Sequence, residues 1–498
     1  MASPMSSPRA RWAAAVVLVW LAACVPLLVA DVLPLVDYPA HLARVQLLAD
    51  PPAGTDAFYR PAWTILPNLA LEFVCVPLAH LVPAPVALRI FVALTLGLFV
   101  WGGALLSRAA TGRVSPLAFL PALLVYNHVL AFGFVNFLFG LGLAMVALAR
   151  HIEGGEDPLG RRLLRESAFA LALFASHIIA LGVYLLAAAL HDLASRSPRL
   201  RRDAAVLAGA AVAPILLLLL SPTRREIALL GLHPLSAKLD KLFAVPQTGQ
   251  GAWDAVFAIA ALAYLATILV FRLARMNRPL ALVALGLAAA FLLAPYRFAT
   301  AENVDTRLPV VFIAIALAAF ELTASGRRAR AVAVAFAALF AFRIATTTVH
   351  YHRSARVFAA VRADLAAAVP AGSLLFTARE VSAPTWYPTD WNPPLFHAPA
   401  LLLLDRPVYL QMLFAHPTQQ PLARTAPFAD LDPVDLVGVV WQPHLEAYGE
   451  NLLQILDAAR RPEPAYLFFL KGPGRLFEGP TFDVVVDRPR YAILRLRE

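Results

Sequence analysis

Long apolar stretches recur through the first 349 residues, and their lengths set the architecture. A helix crossing a bilayer needs roughly 17 to 25 residues, and runs of that order lie near residues 12–30, 86–107, 203–221, 252–272, 279–296 and 329–347. Shorter runs lie near 115–131, 134–150 and 308–324. Residues 166–192 stay apolar for too long for one ordinary span, with Arg161, Arg162 and Arg165 before them and Arg196, Arg199, Arg201 and Arg202 after. Two short crossings meeting near Ser176 and His177 put both clusters on one side. The pattern therefore predicts about eleven transmembrane helices. Beyond residue 350 no span occurs; a helix over 354–368 leads to strands at 373–376, 434–441 and 465–470, a helix over 444–459, and a hairpin of 482–486 with 491–496. The expected fold class is mainly α, a polytopic membrane domain over 1–349 followed by a small extracytoplasmic α/β domain over 350–498.

Composition agrees: 60% of residues are apolar and 15% charged, against roughly 45–50% and 25% in soluble domains, which excludes an ordinary soluble enzyme. The formal charge of +10 is uneven, with 28 basic and 17 acidic residues in the first 349. Short cytoplasmic loops are enriched in Lys and Arg. With the amino terminus inside, the loops carrying Arg9/Arg11, Arg108/Arg113, Arg150–Arg165, Arg196–Arg202, Arg272–Arg278 and Arg327–Arg330 face inward and hold 18 of those 28. The basic excess thus reads as plasma (inner) membrane topology rather than nucleic-acid binding, and an odd number of crossings places 350–498 outside. Arg89 and Arg343, near helix ends, are expected to snorkel. Leu21 to Cys24 imitates a lipoprotein signal, but the apolar run continues to Ala30 and favours an uncleaved anchor. Cys24 and Cys75 allow no disulfide framework and no cysteine-based zinc site.

The loop over 31–85 is too long for a simple connection. It opens Asp31-Val-Leu-Pro-Leu-Val-Asp37-Tyr38-Pro39-Ala-His41-Leu-Ala-Arg44. A helix starting near Pro39 brings His41 and Arg44 onto one face with Asp37 at its start; the bland alternative makes Asp37 a helix cap and gives Arg44 to lipid phosphate. Residues 66–81, broken by Pro77, suit a helix on the outer surface, from which Glu72 faces either a cavity or water. Tyr126, Asn127, His128, Asn136 and His177 sit at outer helix ends, where structural roles are the simplest reading. The outward loop 222–251 spaces Leu229, Leu232, Leu235 and Leu239 as an amphipathic surface element carrying His233, Lys238 and Lys241. Arg297 and Arg307 suit a phosphate through forked bonds, or internal pairing with Glu302 and Asp305.

These features resemble the GT-C class of polytopic glycosyltransferases, which take sugars from polyprenyl-phosphate carriers. The resemblance covers residues 12 to about 349: a first span, a long outer loop with acidic residues Asp31 and Asp37, a surface helix, an Ala-Leu-Arg89 lead into the second span, and Arg307-Leu308-Pro309 before a late one. It implies a catalytic carboxylate in the first outer loop; the two acids lie six apart, so Asp37 and Asp31 both stand. It further implies a polyprenyl-phosphate-linked sugar donor, a lipid or glycan acceptor, and His41, Arg44, Glu72, His177, Arg297 and Arg307 around the substrates. No cofactor or metal is needed by this scheme, although Asp37, His41 and Glu72 offer ligands for one. A transporter or flippase of lipid-linked glycan, or a non-catalytic envelope assembly protein, are the alternatives. Trp386, Tyr387, Trp391, His397 and the segment 416–420 fall in a long connection of the carboxy-terminal domain, where aromatic residues suit sugar stacking but packing of a Pro-rich loop is the simpler reading.

Overall fold

A computed structural model describes residues 8–226, 231–297, 303–380, 395–429, 431, 438–440, 444–472 and 479–497. Trp386, Tyr387, Trp391, Leu229 and Glu302 lie outside the described residues. The helices, in order, are α1 (Pro8–Cys24), α2 (Tyr38–Ala49), α3 (Ala70–Ala79), α4 (Ala84–Thr111), α5 (His128–Phe132), α6 (Val135–Glu153), α7 (Leu159–Ser176), α8 (Ile178–Ala194), α9 (Leu200–Leu220), α10 (Leu235–Ala244), α11 (Ala252–Val270), α12 (Arg278–Leu293), α13 (Val304–Ala318), α14 (Gly326–Ala368), α15 (Ala426–Ala429) and α16 (Leu445–Ala458). Among the described residues six segments, Ala10–Leu28, α4, α6, α9, α11 and α14, are long and apolar enough to cross a membrane. The protein is a multi-pass membrane protein, and each of the eleven expected crossings corresponds to helical structure.

Two compact units form, the first from Met1–Val29, Thr64–Phe73 and Arg89–Tyr351. In it, α7 ends at Ser176 and α8 starts at Ile178, with His177 extended between them and its Nδ1 accepting from the Ile179 amide at 3.2 Å. The expected break of 166–192 into two helices is therefore present. The expected span over 115–131 is instead a buried 3₁₀ helix, Pro116–Leu124, followed by α5. Pro121 lacks an amide hydrogen and crowds the preceding turn, which opposes a regular α-helix there. Non-helical backbone at this depth is tolerated because protein surrounds it. Val212, Ile215, Leu216, Leu219 and Leu220 of α9 and Ile259, Leu262, Leu269 and Val270 of α11 are exposed, an apolar surface that suits lipid.

Several charges read as topology signals are partnered inside the protein. Arg162 is buried against Asp203, and His151 lies between Asp192 (3.0 Å) and Glu166 (3.4 Å). Arg343 does not snorkel: it is fully buried, bonded to Asp254 at 2.6 Å and to the Tyr126 carbonyl at 2.8 Å. With an acid available on the facing helix α11, an internal pair replaces the reach to the membrane surface.

The second unit comprises Ala30–Trp63, Val74–Leu88 and His352–Glu498. Its strands are β1 (Tyr59–Pro61), then, after β2 (Ala274–Met276) and β3 (Phe320–Leu322) of the first unit, β4 (Leu374–Glu380), β5 (Tyr409–Leu410), β6 (Leu422–Arg424), β7 (Gly438–Val440), β8 (Ala465–Leu470), β9 (Phe482–Asp487) and β10 (Tyr491–Leu496). The sheet runs β5-β4-β8-β10-β9 with β7 also beside β4. Strands β5, β7 and β8 pair parallel with β4, while β9, β10 and β8 run antiparallel in turn, so the expected α/β character and hairpin are present. The outer loop joins this unit: β1 pairs antiparallel with β6, and the Tyr59 hydroxyl accepts from the Leu410 amide at 2.7 Å. The expected separate helix over 354–368 is the end of the 43-residue α14. No Gly or Pro interrupts residues 327–368, so the helix continues after the hydropathy falls.

Candidate active site

In the second unit, α2 begins where expected, with Pro39 in its first turn and Asp37 at the N-cap position. The Asp37 side chain makes no capping hydrogen bond, so capping does not account for the residue. Its Oδ1 instead lies 3.5 Å from Nε2 of His397. One helical turn on, Arg44 Nη2 meets His41 Nδ1 at 3.1 Å, as the i, i+3 spacing requires. Arg44 is fully buried. Asp37 is 7% exposed, whereas Asp31 sits exposed at a bend. His397 is 1% exposed, and burial pushes its imidazole down to about 4. Nothing local in the sequence links His397 to a residue 360 positions earlier.

In the first unit, Glu72 occupies the first turn of α3 and is fully buried, so the water-facing alternative is corrected. The start of α3 is tied to α6: Asn136 Oδ1 accepts from the Leu71 amide at 2.8 Å, and its Nδ2 donates to the Asn68 carbonyl at 3.1 Å. Asn127 caps α5 through the Leu130 amide, and the Tyr126 hydroxyl donates to the Ala23 carbonyl at 2.7 Å. These three polar residues hold structure, as the simplest reading had it.

A cationic cluster gathers on α10 and α13. Asp305 accepts from Lys241 Nζ (2.7 Å), Lys238 Nζ (3.0 Å) and His233 Nδ1 (2.7 Å). Lys238 also donates to the Ala294 and Phe291 carbonyls, and Lys241 to Thr306 Oγ1 at 2.8 Å. Leu235, Leu239 and Phe243 of α10 are exposed while both lysines are buried, the inverse of a helix on a soluble protein, which suits a helix lying on lipid. Burial lowers the Lys241 pKa, opposed by Asp305. Arg307 is buried with its guanidinium 3.9 Å from the centre of the Phe134 ring, and its charge acts on both His177 and Lys241. Asp305 thus pairs with the lysines that sequence reasoning left on a surface element. Arg297, half-buried beyond α12, follows a different backbone path from Arg307, which lies within α13.

An apolar cleft of ≈ 230 Å³ is lined by Ile178, Ile179, Val183, Leu287, Val304 and Leu308 among others. Val304 and Leu308 bracket Asp305–Arg307 on α13, and Ile178 follows His177. Among the described residues no group of three or more His, Cys, Asp or Glu side chains is placed to hold a metal ion.

No protein-family model and no curated protein sequence matches the chain. Among solved structures it is similar to ArnT from Cupriavidus metallidurans, crystallised bound to undecaprenyl phosphate. The likeness covers 97% of each chain, with a TM-score of 0.54 and 13% identity. What that likeness establishes is the fold: a mainly helical, polytopic GT-C-like membrane protein with a small carboxy-terminal sheet region.

Proposed function

We propose that this protein is an integral membrane glycosyltransferase that moves a sugar from a polyprenyl-phosphate carrier to an extracytoplasmic lipid or glycan acceptor. The observation that carries the reading is the full-length likeness to a fold solved with undecaprenyl phosphate. Within this chain, an apolar cleft lined by Val304 and Leu308, which flank Asp305–Arg307 on α13, supports it: an isoprenoid chain suits the cleft, and a phosphate suits the cations of that region.

In this reading Asp37 accepts the proton of the acceptor hydroxyl. The hydroxyl oxygen bonds to the anomeric carbon as the carbon–oxygen bond to phosphate breaks, inverting that carbon. The carrier phosphate leaves with the electron pair, its growing charge stabilised by cationic donors; Arg307 and Lys241 are proposed for carrier binding. Asp31, His41, Arg44, Glu72, His177 and Arg297 are proposed as supporting residues, with Asp31 the second choice of base. In this reading the protein lies in the plasma (inner) membrane with its amino terminus inside and residues 350–498 outside, as the basic residues of the short loops suggest.

The test is to incubate the purified protein, in nanodiscs, with an extract of cell-envelope lipids and to follow intact masses. Loss of one sugar mass from a polyprenyl phosphate, with gain of the same mass on an acceptor, is the expected result. Movement of unaltered lipid across the bilayer, without a mass change, identifies a flippase instead.

A further inference from the structure

The start of α2 and the start of the 3₁₀ helix Ala398–Leu404 bring two buried polar side chains together. Asp37 stands at the first N-cap, its carbonyl accepting from the His41 amide at 3.0 Å. His397 stands at the second, its carbonyl accepting from the Ala400 amide at 3.0 Å. The imidazole is held edge-on by Phe396 at 5.3 Å and flanked by Phe414 at 5.0 Å, which in turn lies 6.0 Å from His41. Aromatic contact on this scale fixes a ring's plane, and here Nε2 is left 3.5 Å from Asp37 Oδ1. That distance is long for a hydrogen bond, as catalytic pairs commonly are before substrate binds.

We infer that His397 is a positioning residue for Asp37, its Nε2–H donating to one carboxylate oxygen and so fixing the rotation of the carboxylate that faces the acceptor hydroxyl. The inference rests on the proposed role of Asp37 as base. Burial favours the neutral imidazole, which has a single N–H to give; Nδ1 has no hydrogen-bond partner, so the proton sits on Nε2, shared between the Met412 backbone carbonyl and the approaching Asp37 carboxylate. A donor to the charged carboxylate also holds its pKa down, keeping the base ionised.

The test uses the full-length protein in nanodiscs. The protonated-carboxyl infrared band of Asp37, identified by its loss in Asp37→Asn, is titrated in the parent, His397→Phe and His397→Gln. Phenylalanine preserves the ring packing and removes the donor; glutamine restores an N–H. The Asp37 midpoint is expected to rise by about one pH unit in His397→Phe and to return part of the way in His397→Gln. Transfer from the extract's lipid-linked sugars should slow by about 10- to 100-fold in His397→Phe, with undecaprenyl phosphate binding unchanged. An unshifted midpoint in folded His397→Phe overturns the inference. Should that variant fail to fold, the ¹⁵N signal of His397 Nε2 decides: it must move in Asp37→Leu, and an unmoved signal overturns the inference equally. Parental turnover by Asp37→Asn sinks the base reading and the positioning role with it, whereas slow Asp37→Asn with fully active His397→Phe removes only His397.

Discussion

At the scale of single residues, the two candidate carboxylates differ in their surroundings. Asp37 is buried against a histidine, and Asp31 is exposed. Because Asp37 makes no side-chain cap, Asp37→Asn should leave stability within about 1 kcal/mol of the parent. Turnover should fall by about 10²- to 10⁴-fold, the usual loss when a general base is removed. Asp31→Asn should lose much less turnover than Asp37→Asn, and equal losses in the two variants would deny Asp37 its distinct role. Arg307→Ala should weaken undecaprenyl phosphate binding and Arg307→Lys should restore only part, since a lysine lacks the planar fork. Parental binding by both variants removes Arg307 from the phosphate site. His397 also sets a pH dependence. Its folded pKa of about 4 lies below the ordinary value of about 6.5, so the unfolded chain takes up the proton first. Stability from this group is complete above about pH 6.5 and is lost as pH falls toward 4, at up to ~1.4 kcal/mol per pH unit. His397→Phe should flatten that stretch of a thermal-stability profile.

At the scale of elements, the buried pair Asp254–Arg343 joins α11 to α14. Removing one partner strands the other charge in a dry interior, so Arg343→Met should destabilise by about 3–5 kcal/mol; a melting temperature unchanged in detergent would show the pair to be inert. The same residue shows where sequence reading stops. Periodicity and length located the eleven helical segments, and the apolar excess of 166–192 located the break at His177. They could not show which helices face each other. Arg343 thus looked like a residue reaching for the membrane surface, and Lys238 and Lys241 looked like a wetted face, because their partners Asp254 and Asp305 lie 89 and 64 or more residues away in the chain. Proline at 121 was visible, yet a 3₁₀ turn there depends on burial by neighbouring helices. The His41–Arg44 contact was legible because helical geometry alone dictates it. The Asp37–His397 approach was not, since it depends on how residues 395–404 pack against α2.

At the scale of the whole molecule, the uneven distribution of basic residues implies an orientation that labelling can read. With Cys24 and Cys75 replaced, cysteines at Arg113 and Glu156, whose side chains are 68% and 87% exposed, should be protected from an impermeant thiol reagent in intact cells. One at the exposed Glu450 should react. Reaction at Glu156 together with protection at Glu450 reverses the topology. The central claim is chemical, and the most direct measurement compares parent and Asp37→Asn, both purified in nanodiscs with envelope lipid extract, by the intact mass of the polyprenyl phosphates. The expected result is loss of a sugar from the carrier with the parent and almost none with the variant, both proteins still binding undecaprenyl phosphate. Equal sugar loss with both, or carriers unchanged in mass by the parent, contradicts it.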